Sequence, residues 1–304
     1  MKILVTGASG FIGREVTDRL CKRGYEVHAV ARKSIEIPDA IWHEVNLLDK
    51  SKVEQLFSEV RPTHLVHFAW VTEPGEFWNS SENNEWESAT RLLFDAFADN
   101  GGTRFVGAGS VAEYVWTGEP CLESRLFDTP ATLYGQRKLA AWQYVEQRAR
   151  EVDIASAWGR VFWLYGPHEH PRRLIPYVIN GLLKKRSVDC SSGEQLRDFL
   201  HVYDVADAFV RLLESEVGGA VNIASGEPVA IKTIVSHIAT KLAGQDLIRL
   251  GAIPTNIFEP NVVCGDVSKL KLHVGFTPQV QLQDGLDSTI SWWQSLSECG
   301  AVSA

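Results

Sequence analysis

The hydrophobic pattern of the first half of the chain alternates between short apolar runs, as in buried strands, and the three- or four-residue spacing of helices. Short apolar runs such as residues 3–5 predict buried strands, and the stretches between them place apolar residues three or four positions apart. Ile12, Val16 and Leu20 mark the first of these helical faces. The alternation of strand and helix is typical of an α/β protein with a parallel sheet.

The same pattern predicts the remaining elements of the fold. We predict further strands over residues 26–31, 43–45, 64–69, 104–108 and 220–224. We predict helices over residues 52–60, 87–98, 134–151, 174–184 and 204–213. In an open parallel sheet, ligands bind beyond the carboxyl ends of the strands, so functional residues are expected there.

Composition and charge narrow the function classes. The 304 residues are 45% hydrophobic and 22% charged, as in an ordinary globular protein. A net charge of −8 argues against broad binding of nucleic acid or anionic membranes. No apolar run approaches the roughly 18 residues that span a bilayer, and the N-terminus lacks a signal-peptide layout.

The five cysteines are scattered and form no C-x-x-C pair. They are Cys21, Cys121, Cys190, Cys264 and Cys299. Their spacing argues against a zinc site and against a disulfide framework, and it is consistent with a reducing, cytoplasmic location.

Three glycines follow the first predicted strand at the spacing G-x-x-G-x-x-G. Gly7, Gly10 and Gly13 allow a tight turn and the close approach of a pyrophosphate, which the N–H groups of the next helix can bind. The alternative is a tight turn of any α/β protein. The position directly between the first strand and the first helix favours dinucleotide binding.

The end of the second predicted strand bears on the choice of cofactor. An acidic residue there accepts the 2′-OH of NAD, whereas an arginine suits the 2′-phosphate of NADP. Residues 27–34 contain no acidic residue, but they include Arg32 and Lys33. We therefore favour NADP(H), with Arg32 as the phosphate ligand and Lys33 in support. NAD remains possible if these residues form a solvated basic loop.

A tyrosine and a lysine four residues apart provide candidate acid/base chemistry. Tyr134 and Lys138 begin a predicted helix and lie on one face of it. A phenol has an unperturbed pKa near 10, and we expect a nearby ammonium to lower it. Ser110 follows a predicted strand, at the edge of the sheet where ligands bind.

Five motifs in the same order as in a known family carry a resemblance over nearly the whole chain. They are residues 6–13 (TGASGFIG), Ser110 with Glu113 and Tyr114 behind it, 134–138 (YGQRK), 160–167 (RVFWLYGP) and 195–202 (QLRDFLHV). The chain resembles the extended short-chain dehydrogenase/reductases of the nucleotide-sugar epimerase/dehydratase type.

The resemblance implies a fold and a division of the chain. The implied fold is a Rossmann-like, doubly wound parallel sheet with helices on both faces. Residues 1–165 would form the NADP-binding domain, to which the chain returns around 198–225. Residues 166–304 would form a smaller nucleotide-sugar-binding lobe. The resemblance also suggests a homodimer built through the helices near 87–98 and 135–151.

Roles for individual residues follow from the same resemblance. Tyr134 would be the catalytic acid/base, Lys138 would hold the nicotinamide ribose, and Ser110 would hydrogen-bond the reacting oxygen. The predicted cofactor site comprises Gly7, Ser9, Gly10, Phe11, Ile12, Gly13, Arg32, Lys33, Asn46, Leu47, Ala69, Tyr134 and Lys138. Arg172 and Arg197 are the predicted substrate ligands, and Arg197 matches the position that contacts the nucleotide diphosphate.

Departures from the family pattern narrow the chemistry. Val111 and Ala112 stand where sugar dehydratases place an Asp-Glu pair, which argues against a 4,6-dehydratase. Asn46 replaces a frequent aspartate beside the adenine, and Trp70 replaces a small residue near the nicotinamide. Residues 195–202 and the region from 251 to 278 are similar to 4-keto reductases of the abequose-synthase type.

These features predict the NADPH-dependent reduction of a nucleoside-diphosphate-linked 4-keto-6-deoxyhexose. An NAD-dependent 4-epimerase needs the same three catalytic residues and remains the alternative. A non-catalytic NADP-sensing protein would keep the glycine turn without needing Ser110, Tyr134 and Lys138 together.

Two further stretches have alternative interpretations. Residues 70–86 contain three tryptophans and could form a substrate lid, or could pack against the core or another subunit. His168, Glu169 and His170 could contribute to a metal site, but no further ligand is indicated, so we favour a substrate loop.

Overall fold

The computed structural model describes residues 1–125, 129–254 and 260–298, so Cys299 and residues 255–259 of the reductase-like region lie outside them. The strands of the main sheet are β1 (Lys2–Thr6), β2 (Glu26–Ala31), β3 (Ala40–Glu44), β4 (His64–His67), β5 (Arg104–Ser110), β6 (Ala155–Val161) and β10 (Gly219–Ile223). They pair in parallel in the order β10-β6-β5-β4-β1-β2-β3.

Helices cover both faces of this sheet. The described helices are α1 (Phe11–Lys22), α2 (Lys50–Val60), α3 (Glu82–Asp99), α4 (Leu133–Glu151), α5 (Leu174–Leu183), α6 (Val202–Glu214), α7 (Ile231–Lys241), α8 (Ser268–Leu272) and α9 (Leu282–Glu298). Apolar residues of α1 and α6 pack in one buried cluster, and those of α2, α3 and α4 pack in another. The predicted Rossmann-like, doubly wound architecture is confirmed.

The continuous apolar run of β1 is explained by its place between these two clusters. Ile3, Leu4 and Val5 are all fully buried. Ile3 and Val5 join the cluster of α1 and α6, whereas Leu4 joins the opposite cluster. Successive side chains of a strand point to opposite faces, so a strand buried on both faces is apolar throughout.

Among the boundaries that differ from the predictions, two lie beside the candidate site. Helix α3 begins at Glu82, five residues earlier than predicted. The negative charges of Glu82 and Glu85 in its first turn stabilise this start, because they lie at the positive end of the helix dipole. Strand β5 continues through Gly109 and Ser110 because both residues pair with β6. Ser110 is therefore held by the sheet and does not lie in a loop after it.

Four other strands build a separate, smaller sheet. They are β7 (Trp163–Tyr165), β9 (Leu196–His201), β11 (Pro228–Ala230) and β13 (Val262–Val263), and β9 pairs with the other three. Strand β8 (Val188–Asp189) pairs with β12 (Ile248–Arg249). Helices α5, α7 and α9 enclose a third apolar cluster beside these strands.

Candidate active site

The turn after β1 has a geometry that requires glycine. The φ angle of Gly7 is 66°, and a Cβ atom on Gly7 would lie 2.8 Å from the backbone nitrogen of Ala69. A Cβ atom on Gly13 would lie 2.1 Å from the Gly7 carbonyl oxygen. Gly10 caps α1 without any side-chain hydrogen bond to its first N–H groups. This close turn and uncapped helix end fit a dinucleotide pyrophosphate.

Two groups of opposite charge lie at the end of the sheet where an adenosine ribose is expected. Arg32 and Lys33 follow β2, and both are exposed. The register of β2 and β3 pairs Ala31 with Glu44. The Glu44 carboxylate accepts hydrogen bonds from the Ser34 N–H (3.0 Å) and hydroxyl (2.8 Å). Glu44 could not be predicted as a site residue from the sequence, because only the strand register brings it near Arg32.

The predicted adenine residues lie beside an open cleft. Leu47 is buried, and the Asn46 side chain accepts a hydrogen bond from the Leu48 N–H at 3.2 Å. A cleft of about 400 Å³ separates Leu47 and Leu48 from the α3 residues Asn84 and Ser88. The contact between Leu47 and an adenine ring stays a prediction.

The structure brings the three predicted catalytic residues together. Ser110 ends β5, and Tyr134 and Lys138 lie in the first two turns of α4. The Thr132 hydroxyl caps α4 by accepting a hydrogen bond from the Gly135 N–H at 3.1 Å. Ser110 lies near the Tyr134 phenol and acts to lower its pKa. One helix and one strand end therefore form the candidate site.

The pKa of Tyr134 differs from the sequence-based expectation. Burial raises this pKa to about 12, and the interaction with Ser110 opposes the increase. The Lys138 ammonium donates to the Ala108 carbonyl oxygen at 2.8 Å and lies 3.9 Å from the centroid of the Trp70 ring. Burial lowers the pKa of Lys138 to about 7. The predicted lowering of the tyrosine pKa is wrong because desolvation of the phenolate dominates.

A buried ion pair supports Ser110 from behind. Glu113 Oε1 accepts hydrogen bonds from the Ser110 N–H at 2.8 Å and from the Trp158 indole at 3.0 Å. Glu113 Oε2 accepts from Arg160 at 2.8 Å, and both charged side chains are fully buried. The Ser110 hydroxyl accepts from the Ala112 N–H at 3.2 Å, which completes a capping box. The S-x-x-E spacing was a signal for this positioning role of Glu113.

The tryptophan-rich stretch packs on Tyr134 within the same chain. The ring centroid of Tyr134 lies 4.8 Å from Phe77, 5.9 Å from Trp78 and 6.4 Å from Trp70, in edge-to-face arrangements. The Trp78 carbonyl oxygen accepts a hydrogen bond from the Tyr134 N–H at 3.0 Å. These residues form an aromatic wall around Tyr134, so the packing interpretation holds for this part of residues 70–86.

The two predicted substrate arginines lie in different environments. Arg172 is exposed and forms an ion pair with Glu73. Arg197 lies on β9 with 2% of its surface exposed. The Arg197 guanidinium lies over Trp163, 5.3 Å from the ring centroid, and donates to the Pro260 carbonyl oxygen at 3.2 Å.

The three residues of the possible metal motif point apart. The ring centroid of His168 lies 4.6 Å from that of Trp292, whereas His170 Nε2 lies 3.9 Å from the Glu73 carboxylate. Glu169 is buried. Within residues 1–125, 129–254 and 260–298, no group of three His, Cys, Asp or Glu side chains could hold a metal ion.

Arg173, which was not among the predicted substrate ligands, contacts one of the rings that pack on Tyr134. Its guanidinium lies over the Phe77 ring, 5.1 Å from the centroid. Phe77 is one of the rings packed on Tyr134, and the positive charge of Arg173 acts to lower the Tyr134 pKa. Two adjacent arginines offered no sequence signal that could distinguish their orientations.

A sequence comparison identifies the family. The sequence model of the NAD dependent epimerase/dehydratase family matches residues 3–224. The chain belongs to this family. It is an enzyme of the extended short-chain dehydrogenase/reductase type, consistent with the glycine turn and the grouping of Ser110, Tyr134 and Lys138. In the part of the chain that the structure describes, no helix is long and apolar enough to cross a membrane.

Curated relatives of similar length carry out different reactions. The chain is 25% identical to dTDP-4-dehydro-6-deoxyglucose reductase of Escherichia coli, covering 95% of this chain and 96% of the relative. It is 26% identical to CDP-abequose synthase of Salmonella typhimurium, covering 95% and 97%. It is 28% identical to UDP-glucose 4-epimerase of Bacillus subtilis, covering the full length of both.

Solved structures of other proteins have the same fold. MoeE5 in complex with UDP-glucose and NAD is similar to this protein, with a TM-score of 0.86 and 27% identity over 97% of this chain and 99% of MoeE5. Nucleotide-sugar modification is therefore the chemistry common to the family, and the particular reaction of this chain is a separate question.

Proposed function

We propose that this protein reduces the keto group of a nucleoside-diphosphate-linked 4-keto-6-deoxyhexose, with NADPH as the reductant. The observation that carries the proposal is the grouping of Ser110, Tyr134 and Lys138 next to apolar Val111 and Ala112. This arrangement can exchange a proton with a sugar oxygen. It supplies no carboxylate at positions 111 and 112 that could eliminate a hydroxyl.

The chain's own residues have defined parts in this reaction. Bound NADPH supplies the hydride that the keto carbon accepts. The Tyr134 phenol then donates its proton to the oxygen that develops negative charge, and the Ser110 hydroxyl orients that oxygen. Lys138 lies one helical turn from Tyr134 and provides a cation beside the site when it is protonated.

Tyr134 can act directly as an acid in this reaction. Burial raises the pKa of its phenol to about 12, so the phenol is protonated at neutral pH. The epimerase alternative would use the same three residues, so consumption of cofactor has to distinguish the two reactions.

NADP(H) is the proposed cofactor because of Arg32 and Lys33. Both are exposed at the end of β2, where their charges can meet a 2′-phosphate. Glu44, the nearby acidic residue, already accepts two hydrogen bonds from Ser34. A tightly held NAD would instead require that carboxylate to turn toward a ribose hydroxyl.

The decisive experiment mixes purified protein with a 4-keto-6-deoxyhexose linked in turn to dTDP, CDP, UDP or GDP. Stoichiometric loss of the reduced nicotinamide absorbance, with formation of a 4-hydroxy sugar, is the expected result. Interconversion of two 4-hydroxy sugars without net consumption of cofactor would establish the epimerase. Binding of NADPH without turnover of any nucleotide sugar would support the sensing protein.

We further propose that the enzyme is a cytoplasmic homodimer. The resemblance places α3 and α4 in the dimer interface. Within one chain these helices pack together, with Arg91 over the Tyr144 ring and the Tyr144 hydroxyl donating a hydrogen bond to the Asp95 carboxylate. The two packed helices can therefore present one joint surface to a second copy of the chain. Light scattering of the purified protein tests the dimer, and a monomer at micromolar concentration would overturn it.

A further inference from the structure

Glu169 is unusual among the carboxyl groups of the protein. Within the described ranges, its Oε2 is the only buried carboxylate oxygen that has no hydrogen-bond partner. The side chain is 8% exposed. An unsatisfied buried polar atom is unfavourable in a native structure and requires an explanation, such as a ligand that supplies the missing hydrogen bond.

The loop that carries Glu169 has a backbone that buries this side chain. His168 has a φ angle of 70°, which is a left-handed conformation that non-glycine residues rarely adopt. His168 packs on Trp292, and the next residue, Glu169, turns into the protein. The Glu169 N–H donates to the Gly166 carbonyl oxygen at 3.3 Å, and the Gly166 N–H interacts with the Glu169 carboxyl group.

Arg173 connects Glu169 to the catalytic tyrosine. The Arg173 guanidinium lies over Phe77, and the Phe77 ring packs edge-on against Tyr134. The charge of Arg173 acts on both Glu169 and Tyr134. Its side chain makes no hydrogen bond or ion pair with the residues that the structure describes. Glu169 and Arg173 therefore lie on one side of Tyr134 with bonding capacity that the protein does not use.

The local environment keeps the Glu169 carboxyl neutral at pH 7. Burial raises the pKa of Glu169 to about 8, and the charge of Arg173 and the Gly166 N–H only partly oppose this increase. A neutral carboxylic acid has one O–H donor and additional acceptor sites. This set matches a sugar hydroxyl, which can both donate and accept.

We propose that Glu169 and Arg173 form a sugar-recognition pair, in which the free Oε2 of Glu169 hydrogen-bonds a hydroxyl of the hexose ring. Arg173, which stacks on Phe77 beside Tyr134, offers its N–H groups to the same sugar. The inference rests on the proposed function only in that the ligand is a nucleotide sugar. It holds equally for reduction and for epimerisation.

Calorimetric binding of matched ligand pairs tests the proposal. UDP-glucose is compared with UDP, and dTDP-glucose with dTDP, on wild-type protein and on Glu169→Leu and Glu169→Gln. We expect Glu169→Leu to bind the sugar-linked ligand about tenfold more weakly and to bind the free diphosphate as wild type does. Glu169→Gln keeps an oxygen and an N–H group at the same place, so it should remain within about threefold of wild type.

Deoxy analogues of the sugar identify the hydroxyl concerned. The analogue that lacks the recognised hydroxyl should bind wild-type protein and Glu169→Leu with equal affinity, because the missing bond is then absent from both. Glu54→Leu changes an exposed glutamate of α2 and is the matched control. If Glu169→Leu does not fold, Glu169→Asp serves instead, since it keeps the carboxyl group but shortens the side chain that would reach the sugar.

Two outcomes would overturn the proposal. One is an equal loss of affinity for the sugar-linked ligand and for the free diphosphate, which would show a general structural role. The other is unchanged affinity for every sugar-linked ligand. These outcomes are distinct from failure of the proposed function, which is measured separately by NADPH consumption with a 4-keto sugar on the wild-type enzyme.

Discussion

The face of the Trp70 indole lies 3.9 Å from the Lys138 ammonium, which also donates a hydrogen bond to the Ala108 carbonyl oxygen. The indole N–H of Trp70 donates to Asn83 Oδ1 at 2.8 Å, so α3 holds the ring in place. The contact has two opposite effects on the lysine. The ring attracts the cation, but it also excludes the water that would solvate the cation.

Replacing Trp70 should show which effect is larger. We expect Trp70→Ala to raise the Lys138 pKa from about 7 toward its ordinary value near 10.5, because water enters beside the ammonium. Loss of the cation–π contact opposes this by only about 1 kcal/mol. An NMR titration of labelled lysine measures the pKa. Trp70→Phe keeps an aromatic face and should change little, and a Trp70→Ala pKa at or below 7 would contradict the prediction.

Removal of the Tyr134 hydroxyl should separate binding from chemistry. Tyr134→Phe keeps the ring within the aromatic wall but removes the proton donor, so turnover should fall by a factor of about 10² to 10⁴. The NADPH dissociation constant, measured by fluorescence, should remain within about twofold of the wild-type value. Tyr144→Phe removes a hydroxyl that bonds Asp95 on the outer side of α4 and is the control. Wild-type turnover in Tyr134→Phe would remove Tyr134 from its assigned role.

The buried pair behind Ser110 should be important for stability. Glu113→Ala leaves the Arg160 guanidinium buried without its carboxylate partner, which lowers the free energy of unfolding by about 3–5 kcal/mol. The exposed pair of Lys50 and Glu54 is the matched comparison, and Glu54→Ala should change this energy by less than about 1 kcal/mol. Urea unfolding monitored by circular dichroism gives both values, and similar losses in the two variants would contradict the prediction.

Arg32 should determine the preference for NADPH. Arg32→Ala removes the proposed phosphate ligand, so we expect NADPH affinity to fall by about 10- to 100-fold and NADH affinity to stay constant. Titration of protein fluorescence with each nucleotide tests this. Lys33→Ala should have a smaller effect in the same direction. A wild-type preference for NADH that Glu44→Ala abolishes would instead identify Glu44 as a ribose ligand.

Glu169 should make the folded state lose stability as pH rises. Its pKa is about 8 in the folded protein and near 4.5 when unfolded, so between these values only the folded state holds the proton. Stability therefore decreases through this window, by up to about 1.4 kcal/mol per pH unit, and becomes constant above it. Glu169→Gln should remove this component. The test is the urea unfolding free energy of wild type minus that of Glu169→Gln, which should fall from pH 5 to about pH 8 and then become constant. A difference that stays the same from pH 5 to pH 9 would contradict the prediction.

The sequence predicted features whose determinants are close together along the chain. The apolar run of β1, the glycine turn and the four-residue spacing of Tyr134 and Lys138 are all local, and the structure places them as expected. The direction in which Lys138 points was not predictable. It depends on Ala108 in another strand and on Trp70 in a distant loop.

The same physical limit applies to the charged residues at the rim of the site. Glu44 comes near Arg32 only through the register of β2 and β3. Arg172 and Arg173 are neighbours in sequence, yet one pairs with Glu73 and the other stacks on Phe77. Tertiary packing decides between such orientations, and no short-range pattern records it.

The position of β10 in the chain has a consequence for biosynthesis. Strand β10 (Gly219–Ile223) is an edge strand of the main sheet and pairs with β6, although the whole of α5, β9 and α6 lies between them in sequence. During translation, the edge of β6 therefore stays open until residue 223 has left the ribosome. A ribosome that stalls within residues 166–218 would expose this edge on the nascent chain, where unpaired backbone groups invite pairing with another strand.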